Sequence, residues 1–322
     1  MEIHDRDIHT IAAAISNREI RSLSRAITLV ESTHPDHRRL AQNLLAELRG
    51  FPIKKPGLRI GISGPPGAGK STLIESLGLR LTAAGQSLAV LAVDPSSWRS
   101  GGSILGDKTR MERLARDRRA YIRPLPSGGS LGGVTRRLSD SIELIAAAGF
   151  DLTLVETVGV GQSETAVADL TDLLLLVLPP ASGDELQGIK RGIVERADIV
   201  VINKADGDTR DAAMRTVGDY ASAMHLLRPL VAGWQVPVFA VSAVTGDGLE
   251  RLEAEIESFR VFGLDSGFLQ QRRGNQAVAR LGPEVMAAIA ERLEDQILRL
   301  ESEIRAGRMT PAAAAEKLLG MV

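Results

Sequence analysis

Apolar residues change rhythm twice along this chain. Over residues 1–50 they fall at helical spacing: Ile20, Leu23, Ile27 and Val30 are three or four positions apart, and Leu40, Leu44 and Leu48 repeat every four. Thr33-His-Pro-Asp36 separates the two runs as a turn and helix start. Phe51 to Gly57, with Pro52 and Pro56, reads as a linker. From residue 58 to about 262, short apolar runs alternate with helical stretches. Runs at 58–63, 88–93, 151–158, 173–178, 198–203 and 236–242 predict six strands. Leu173 to Leu178 and Ile199 to Ile202 contain no polar position, the pattern of strands covered on both faces in a parallel sheet. The alternation predicts an α/β fold with a mostly parallel, doubly wound sheet and ligands at the carboxyl ends of its strands.

Helical spacing returns after residue 263. Val285, Ile289, Leu293, Ile297, Leu300 and Ile304 form one apolar stripe, to be buried against the same domain or against a second subunit. Thr310-Pro311 predicts the N-cap of a last helix, with Gly320 near its end. The expected organisation is an N-terminal helical extension (1–55), an α/β domain (56–262) and a C-terminal helical arm (263–322). Ser96 to Gly106 and Pro124 to Gly133, rich in Gly and Ser, are expected to be long loops around a site.

Composition removes whole classes of function. The 322 residues carry a net charge of −1 and 3% aromatics, so neither a basic field nor stacking rings point to nucleic acid. The absence of cysteine excludes disulfides, thiolate metal sites and cysteine nucleophiles. Glu2, Asp5 and Asp7 precede no apolar targeting core. The longest apolar run, Leu173 to Pro180, is far short of the ~18 residues of a membrane span. A cytoplasmic protein without membrane or nucleic-acid partners is expected.

Chemistry concentrates at the predicted strand ends. Directly after the first strand stand Gly64, Pro65, Pro66, Gly67, Ala68, Gly69, Lys70, Ser71 and Thr72, matching the Gly-x-x-x-x-Gly-Lys-Ser phosphate-loop pattern. Such a loop turns backbone N–H groups and a helix N-terminus toward a di- or triphosphate. It assigns Lys70 to the β/γ-phosphates and Ser71 to Mg²⁺. The expected fold is therefore a P-loop NTPase. Asn203-Lys204-Ala205-Asp206 follows the 198–203 run and selects guanine. Asp206 accepts from N1–H and the 2-amino group, which adenine does not offer there, and leaving a buried carboxylate unpaired is costly. Asn203 is expected to brace the loops and Lys204 to lie along the base. Ser242-Ala243 ends the last run, where the N–H of Ala243 is expected to meet guanine O6.

Glu156 and Gly159, in Glu156-Thr-Val-Gly159, occupy the place of the GTPase Asp-x-x-Gly, with glutamate for the usual aspartate. Asp94 ends the second run and Asp107 follows in a Gly-Asp-Lys-Thr-Arg segment. Each reads either as a turn residue or, with Glu156, as part of a carboxylate cluster around Mg²⁺ and the attacking water. Val160 stands where small signalling GTPases place a glutamine, and Pro65 where partition-type ATPases place a second lysine. Slow hydrolysis, accelerated by a partner, is expected.

In their order, Gly-Pro-Pro-Gly-Ala-Gly-Lys-Ser-Thr, Val-Asp-Pro-Ser-Ser, Ile-Leu-Gly-Asp-Lys-Thr-Arg-Met, Glu-Thr-Val-Gly-Val-Gly-Gln-Ser-Glu and Asn-Lys-Ala-Asp-Gly resemble the methylmalonyl-CoA mutase-associated GTPase family. Members are sometimes labelled arginine/ornithine transport kinases. The resemblance covers nearly the whole chain. It implies a GTP/GDP- and Mg²⁺-dependent chaperone that gates cofactor loading and protects or reactivates an adenosylcobalamin-dependent acyl-CoA mutase. It also implies a homodimer held by the C-terminal arm. The segment from Leu178 to Lys190 would be a third switch, with Lys190 moving toward the nucleotide. Methylmalonyl-, isobutyryl- and ethylmalonyl-CoA mutases all fit as partners, the first best. A nickel-delivering GTPase is disfavoured by the lack of Cys and only five His, and a small-molecule kinase by the guanine motif.

Overall fold

The computed structural model describes residues 4–52, 56–94, 111–126, 131–157, 163–180, 191–227 and 230–320. It divides into two compact units, Met1–Arg272 and Arg273–Val322.

The first unit opens with three helices, α1 (Ile8–Ser16), α2 (Ile20–Glu31) and α3 (Pro35–Leu48). Pro35 at the first turn and His34, whose ring accepts from the Asp36 N–H at 3.3 Å, start α3 at the expected turn. Strands and helices then alternate: β1 (Leu58–Ser63), α4 (Lys70–Ala83), β2 (Leu88–Asp94), α5 (Glu112–Ala115), β3 (Ala120–Pro126), α6 (Leu131–Ala147), β4 (Leu152–Glu156), α7 (Ser163–Ala168), β5 (Leu173–Leu178), α8 (Arg191–Val194), β6 (Ile199–Ile202), α9 (Arg210–Leu226), β7 (Val238–Ala240) and α10 (Leu249–Asp265).

The seven strands form one sheet in the order β3-β2-β4-β1-β5-β6-β7, with every pair parallel. β1 is central, with Ile60 opposite Leu154 of β4 and Leu173 of β5. The chain winds to one side of β1 through β2 and β3, then to the other through β5, β6 and β7. The loop after β1 therefore opens at the point where the winding reverses, the place where such sheets bind ligands.

Both faces of the sheet are covered, which explains the uninterrupted apolar runs. Leu173, Leu175 and Val177 of β5 join Ile60, Ile62 and the α4 residues Leu73 and Leu77 on one face. Leu174, Leu176 and Leu178 point the other way, with Val200 and Ile202. The N-terminal helices share a core with the sheet: Leu23 and Ile27 of α2 cluster with Leu91 of β2 and Ile142 of α6.

One strand was not expected. β3 runs into the expected Pro124–Gly133 loop: Pro124 belongs to β3 and Gly133 to α6. Arg123, Pro124 and Pro126 break the apolar pattern. They are tolerated because β3 is an edge strand paired only with β2. Helix α2 holds this edge: Ser24 Oγ lies 3.2 Å from the Tyr121 hydroxyl, and Arg123 pairs with Glu31. The expected loop from Ser96 to Gly106 lies outside the described residues.

Two buried carboxylates tie the amino ends of the strands. Asp172 accepts from the Arg59 N–H at 2.8 Å and from its guanidinium at 2.6 and 3.1 Å. Asp198 accepts from the Leu174 N–H at 2.8 Å and from Arg272 at 2.9 Å. Burial pushes the Asp198 pKa above the usual carboxylate value, while Arg272 pulls against the shift.

The second unit contains the rest of α11 (Phe268–Arg292), then α12 (Glu294–Arg305) and α13 (Pro311–Leu319). Thr310 caps α13 by accepting from the Ala313 N–H at 3.3 Å. The expected stripe crosses the α11–α12 break at Leu293 and divides there: Leu293 and Leu300 are buried, whereas Val285 is exposed. Val278, Leu281 and Met286 of α11 are exposed as well.

Candidate nucleotide site

The loop between β1 and α4 is shaped by three glycines with positive φ: Gly64 at 146°, Gly67 at 81° and Gly69 at 84°. A Cβ on Gly64 would lie 1.9 Å from the Val177 carbonyl oxygen, so β5 approaches the loop closer than any side chain permits. A Cβ on Gly69 would lie 2.6 Å from Asn203 Nδ2. Gly69 is the N-cap of α4 and lends no side chain to its first turn. Those N–H groups, with the positive end of the helix dipole, face the concave loop.

Lys70 is buried, and its Nζ donates to the Gly64 and Pro65 carbonyls at 2.7 and 3.0 Å. A cation is thus held inside the loop by two backbone dipoles. Ala68 is buried, whereas Pro66, Gly67 and Thr72 are exposed. Ser71 Oγ donates to Glu156 Oε1 at 2.8 Å, joining the start of α4 to the end of β4. Thr157 follows and returns its N–H to the Ile62 carbonyl at 3.1 Å, which fixes Glu156 beside the loop.

The side that carries the Asn-Lys-x-Asp motif is built from the ends of β6 and β7. Asn203 is 1% exposed. Its amide donates to the Ala68 carbonyl at 2.8 Å and the Gly69 carbonyl at 3.4 Å, and its oxygen accepts from the Ala243 N–H at 3.1 Å. One side chain therefore ties the phosphate loop to the last loop of the sheet. Lys204 has φ of 60°, a left-handed conformation that costs a non-glycine residue about 1–3 kcal/mol. It is held by the Ala205 N–H on the Val241 carbonyl at 3.0 Å and by Thr209 Oγ1 on the Lys204 carbonyl. Ser242 Oγ donates to Asp206 Oδ1 at 2.6 Å and accepts from the Thr245 N–H at 3.1 Å.

The residues from Gly64 to Thr72, Glu156, Asn203, Lys204, Asp206, Ser242 and Ala243 thus stand together at the carboxyl ends of β1, β4, β6 and β7. Asp94 closes β2 at the same end of the sheet. Asp107, Gly159 and Lys190 lie outside the described residues. The Ala243 N–H, expected from sequence to meet guanine O6, donates to Asn203 Oδ1 at 3.1 Å. One contributor escaped the sequence reading. Ser76, two turns into α4, donates Oγ to the Ala243 carbonyl at 2.6 Å. No local motif marks it, because its partner is 167 positions away.

A glycine-shaped phosphate loop at the reversal of a parallel sheet, braced by asparagine to an Asn-Lys-x-Asp loop, defines a P-loop GTPase. The comparisons carry this further. The family described as methylmalonyl-CoA mutase-associated GTPase MeaB matches residues 23–297, and the chain belongs to that family. A probable GTPase of Mycobacterium tuberculosis is 48% identical over 98% of this chain and 96% of its own length. The methylmalonic aciduria type A homolog, mitochondrial, of Mus musculus is 48% identical over 92% of this chain and 75% of its own. A crystal structure of a LAO/AO transport system kinase superposes with a TM-score of 0.75 at 34% identity, over 100% of this chain and 99% of that one.

Proposed function

We propose that this GTPase is a chaperone that gates cofactor loading, protection and reactivation of an adenosylcobalamin-dependent acyl-CoA mutase, with methylmalonyl-CoA mutase as its partner. The family match and the name of the murine relative support the partner. The observation that carries the nucleotide reading is the Asn203 bridge. It makes the shape of the phosphate loop depend on the loop that reads the base, so guanine recognition and phosphate positioning are one structure.

Ser71 and Glu156 offer a hydroxyl and a carboxylate 2.8 Å apart beside the phosphate loop. Hard oxygen donors of this kind fit Mg²⁺, which keeps most of its shell as water and phosphate oxygens. Bound there, Mg²⁺ would neutralise charge on the β/γ-phosphates. Ser71 would hold it, with Glu156, Asp94 and Asp107 as direct or water-mediated supports. Lys70 exchanges the Gly64 and Pro65 carbonyls for phosphate oxygens. Asp206 accepts from guanine N1–H and the 2-amino group, its carboxylate oriented by Ser242. The N–H of Gly159 reads the γ-phosphate, and Lys190, in the third switch, links that reading to the mutase.

The exposed apolar face of α11 supports a homodimer through the C-terminal arm. Among the described residues, no helix is long and apolar enough to cross a membrane. A cytoplasmic location agrees with this and with the cysteine-free composition.

The test is GTP turnover by the pure chain, alone and with methylmalonyl-CoA mutase, with isobutyryl- and ethylmalonyl-CoA mutases as comparators. Slow intrinsic hydrolysis, accelerated by methylmalonyl-CoA mutase and abolished in Lys70→Ala, is expected. Acceleration by another mutase alone reassigns the partner, and acceleration by none removes the coupling.

A further inference from the structure

We propose that Glu75 is a positioning residue for Mg²⁺-dependent GTP hydrolysis: by holding the Arg113 N–H it fixes α5 on the helix that carries Ser71, and so anchors the segment that carries Asp107. This rests on the GTP and Mg²⁺ reading above and adds a residue outside every nucleotide motif of the sequence.

Glu75 stands one turn after Ser71 on α4, about 6 Å further along the axis. Its Oε1 accepts from the Arg113 N–H at 2.9 Å, across 38 positions of chain. Arg113 belongs to the first turn of α5, where N–H groups have no partner within the helix. Met111, the N-cap residue, supplies no side-chain bond. The Glu75 carboxylate takes the place of that local cap. Ser71, Glu75 and Gly78 share one stripe of α4. Ser71 Oγ donates to Glu156 at 2.8 Å. A Cβ on Gly78 would lie 2.6 Å from Leu114 Cδ2, so α5 seats directly on the α4 backbone. Met111 and Leu114 are fully buried and share a core with Ile74 and Leu77 of α4. One helix face therefore sets both the hydroxyl offered to the metal and the place where α5 begins.

Met111 is an anchor four positions past Asp107. Four residues span at most about 14 Å, so the anchor limits where the Asp107 carboxylate can reach. In the reading above, Asp107 supports Mg²⁺ on the triphosphate. Fixing one end of a segment lowers the entropy lost when its residues engage a ligand. GDP has no γ-phosphate to hold such a segment. The Glu75 bond thus favours the triphosphate state and leaves the diphosphate state nearly unchanged.

The experiment uses the full-length protein as wild type, Glu75→Ala, Glu75→Gln, Arg113→Ala and Arg113→Pro. Affinities for GDP and for a non-hydrolysable GTP analogue are measured across a Mg²⁺ titration, with GTP turnover alongside. Glu75→Ala is expected to weaken the analogue about three- to tenfold at limiting Mg²⁺, the worth of one hydrogen bond. Turnover should fall by a similar factor, and GDP affinity should stay within about twofold. Glu75→Gln keeps an acceptor oxygen and should restore wild-type values. Arg113→Ala keeps the N–H and should behave as wild type. Arg113→Pro removes the N–H at a first-turn position and should reproduce Glu75→Ala. The double variant should then be no worse than either single one.

Equal losses for GDP and the analogue, or no loss for either, overturn the proposal, as does an Arg113→Ala defect matching that of Glu75→Ala. Wild type whose analogue affinity ignores Mg²⁺ overturns the metal reading instead, so the two failures are distinct. Amide exchange gives a readout without turnover. With the GTP analogue and Mg²⁺ bound, Arg113 and Leu114 should exchange faster in Glu75→Ala than in wild type or Glu75→Gln. Equal exchange in all three overturns the anchor.

Discussion

Replacing Asn203 with alanine removes a side chain that serves two loops at once. The deletion leaves the Ala68 carbonyl and the Ala243 N–H without the partner they have at 2.8 and 3.1 Å. Asn203 is 1% exposed, so water cannot reach both groups without opening the structure. Each orphaned buried group costs about 1–3 kcal/mol. Local relaxation recovers part of this, and a net loss of about 2–4 kcal/mol is expected. For a domain of this size about 2–3 °C accompanies each kcal/mol. The nucleotide-free variant should therefore melt on the order of 5–10 °C below wild type by scanning calorimetry. The comparison belongs in the absence of nucleotide, because bound GDP would add its own linkage. In excess GDP the gap should widen, since the variant also loses the brace that shapes both subsites. A nucleotide-free melt within about 2 °C of wild type, less than one unsatisfied group requires, would refute the brace.

Two further outcomes follow from buried ionisable groups. Asp172 is 0% exposed and takes three hydrogen bonds from Arg59. Asp172→Ala removes all three of these bonds, and a loss of about 3–5 kcal/mol is expected in urea denaturation; a loss below about 1 kcal/mol would contradict the pairing. Burial raises the Tyr220 phenol to about 12. Its proton is held more tightly in the folded chain, so this contribution is intact below the unfolded value near 10 and is lost as pH rises through 12. Between pH 8 and 11, wild type should lose about 1 kcal/mol more than Tyr220→Phe, and equal losses in chemical denaturation would show that the phenol is not buried.

Much of the architecture is legible in the chain because burial on both faces leaves a direct trace. Strands β5 and β6 lie between two covered layers, so every position is apolar and periodicity is unnecessary for finding them. The phosphate loop is equally local in sequence: its glycines, Lys70 and the start of α4 are consecutive, so the pattern is visible before the fold is known. Strand β3 was invisible for the opposite reason. An edge strand tolerates Pro124 and Pro126 and needs no continuous apolar run, and its identity comes from β2 beside it and α2 above it.

The sequence by itself determined the class of ligand, since phosphate and guanine are each recognised by residues within one short loop. The tertiary structure decided how those loops become one site. Asn203 bonding the carbonyl of Ala68, 135 positions away, and Ser76 bonding that of Ala243 are pairings between segments far apart in the chain. Hydrogen bonds depend on distance and direction in space, and only the parallel order of β1, β6 and β7 brings those groups within 3 Å of one another.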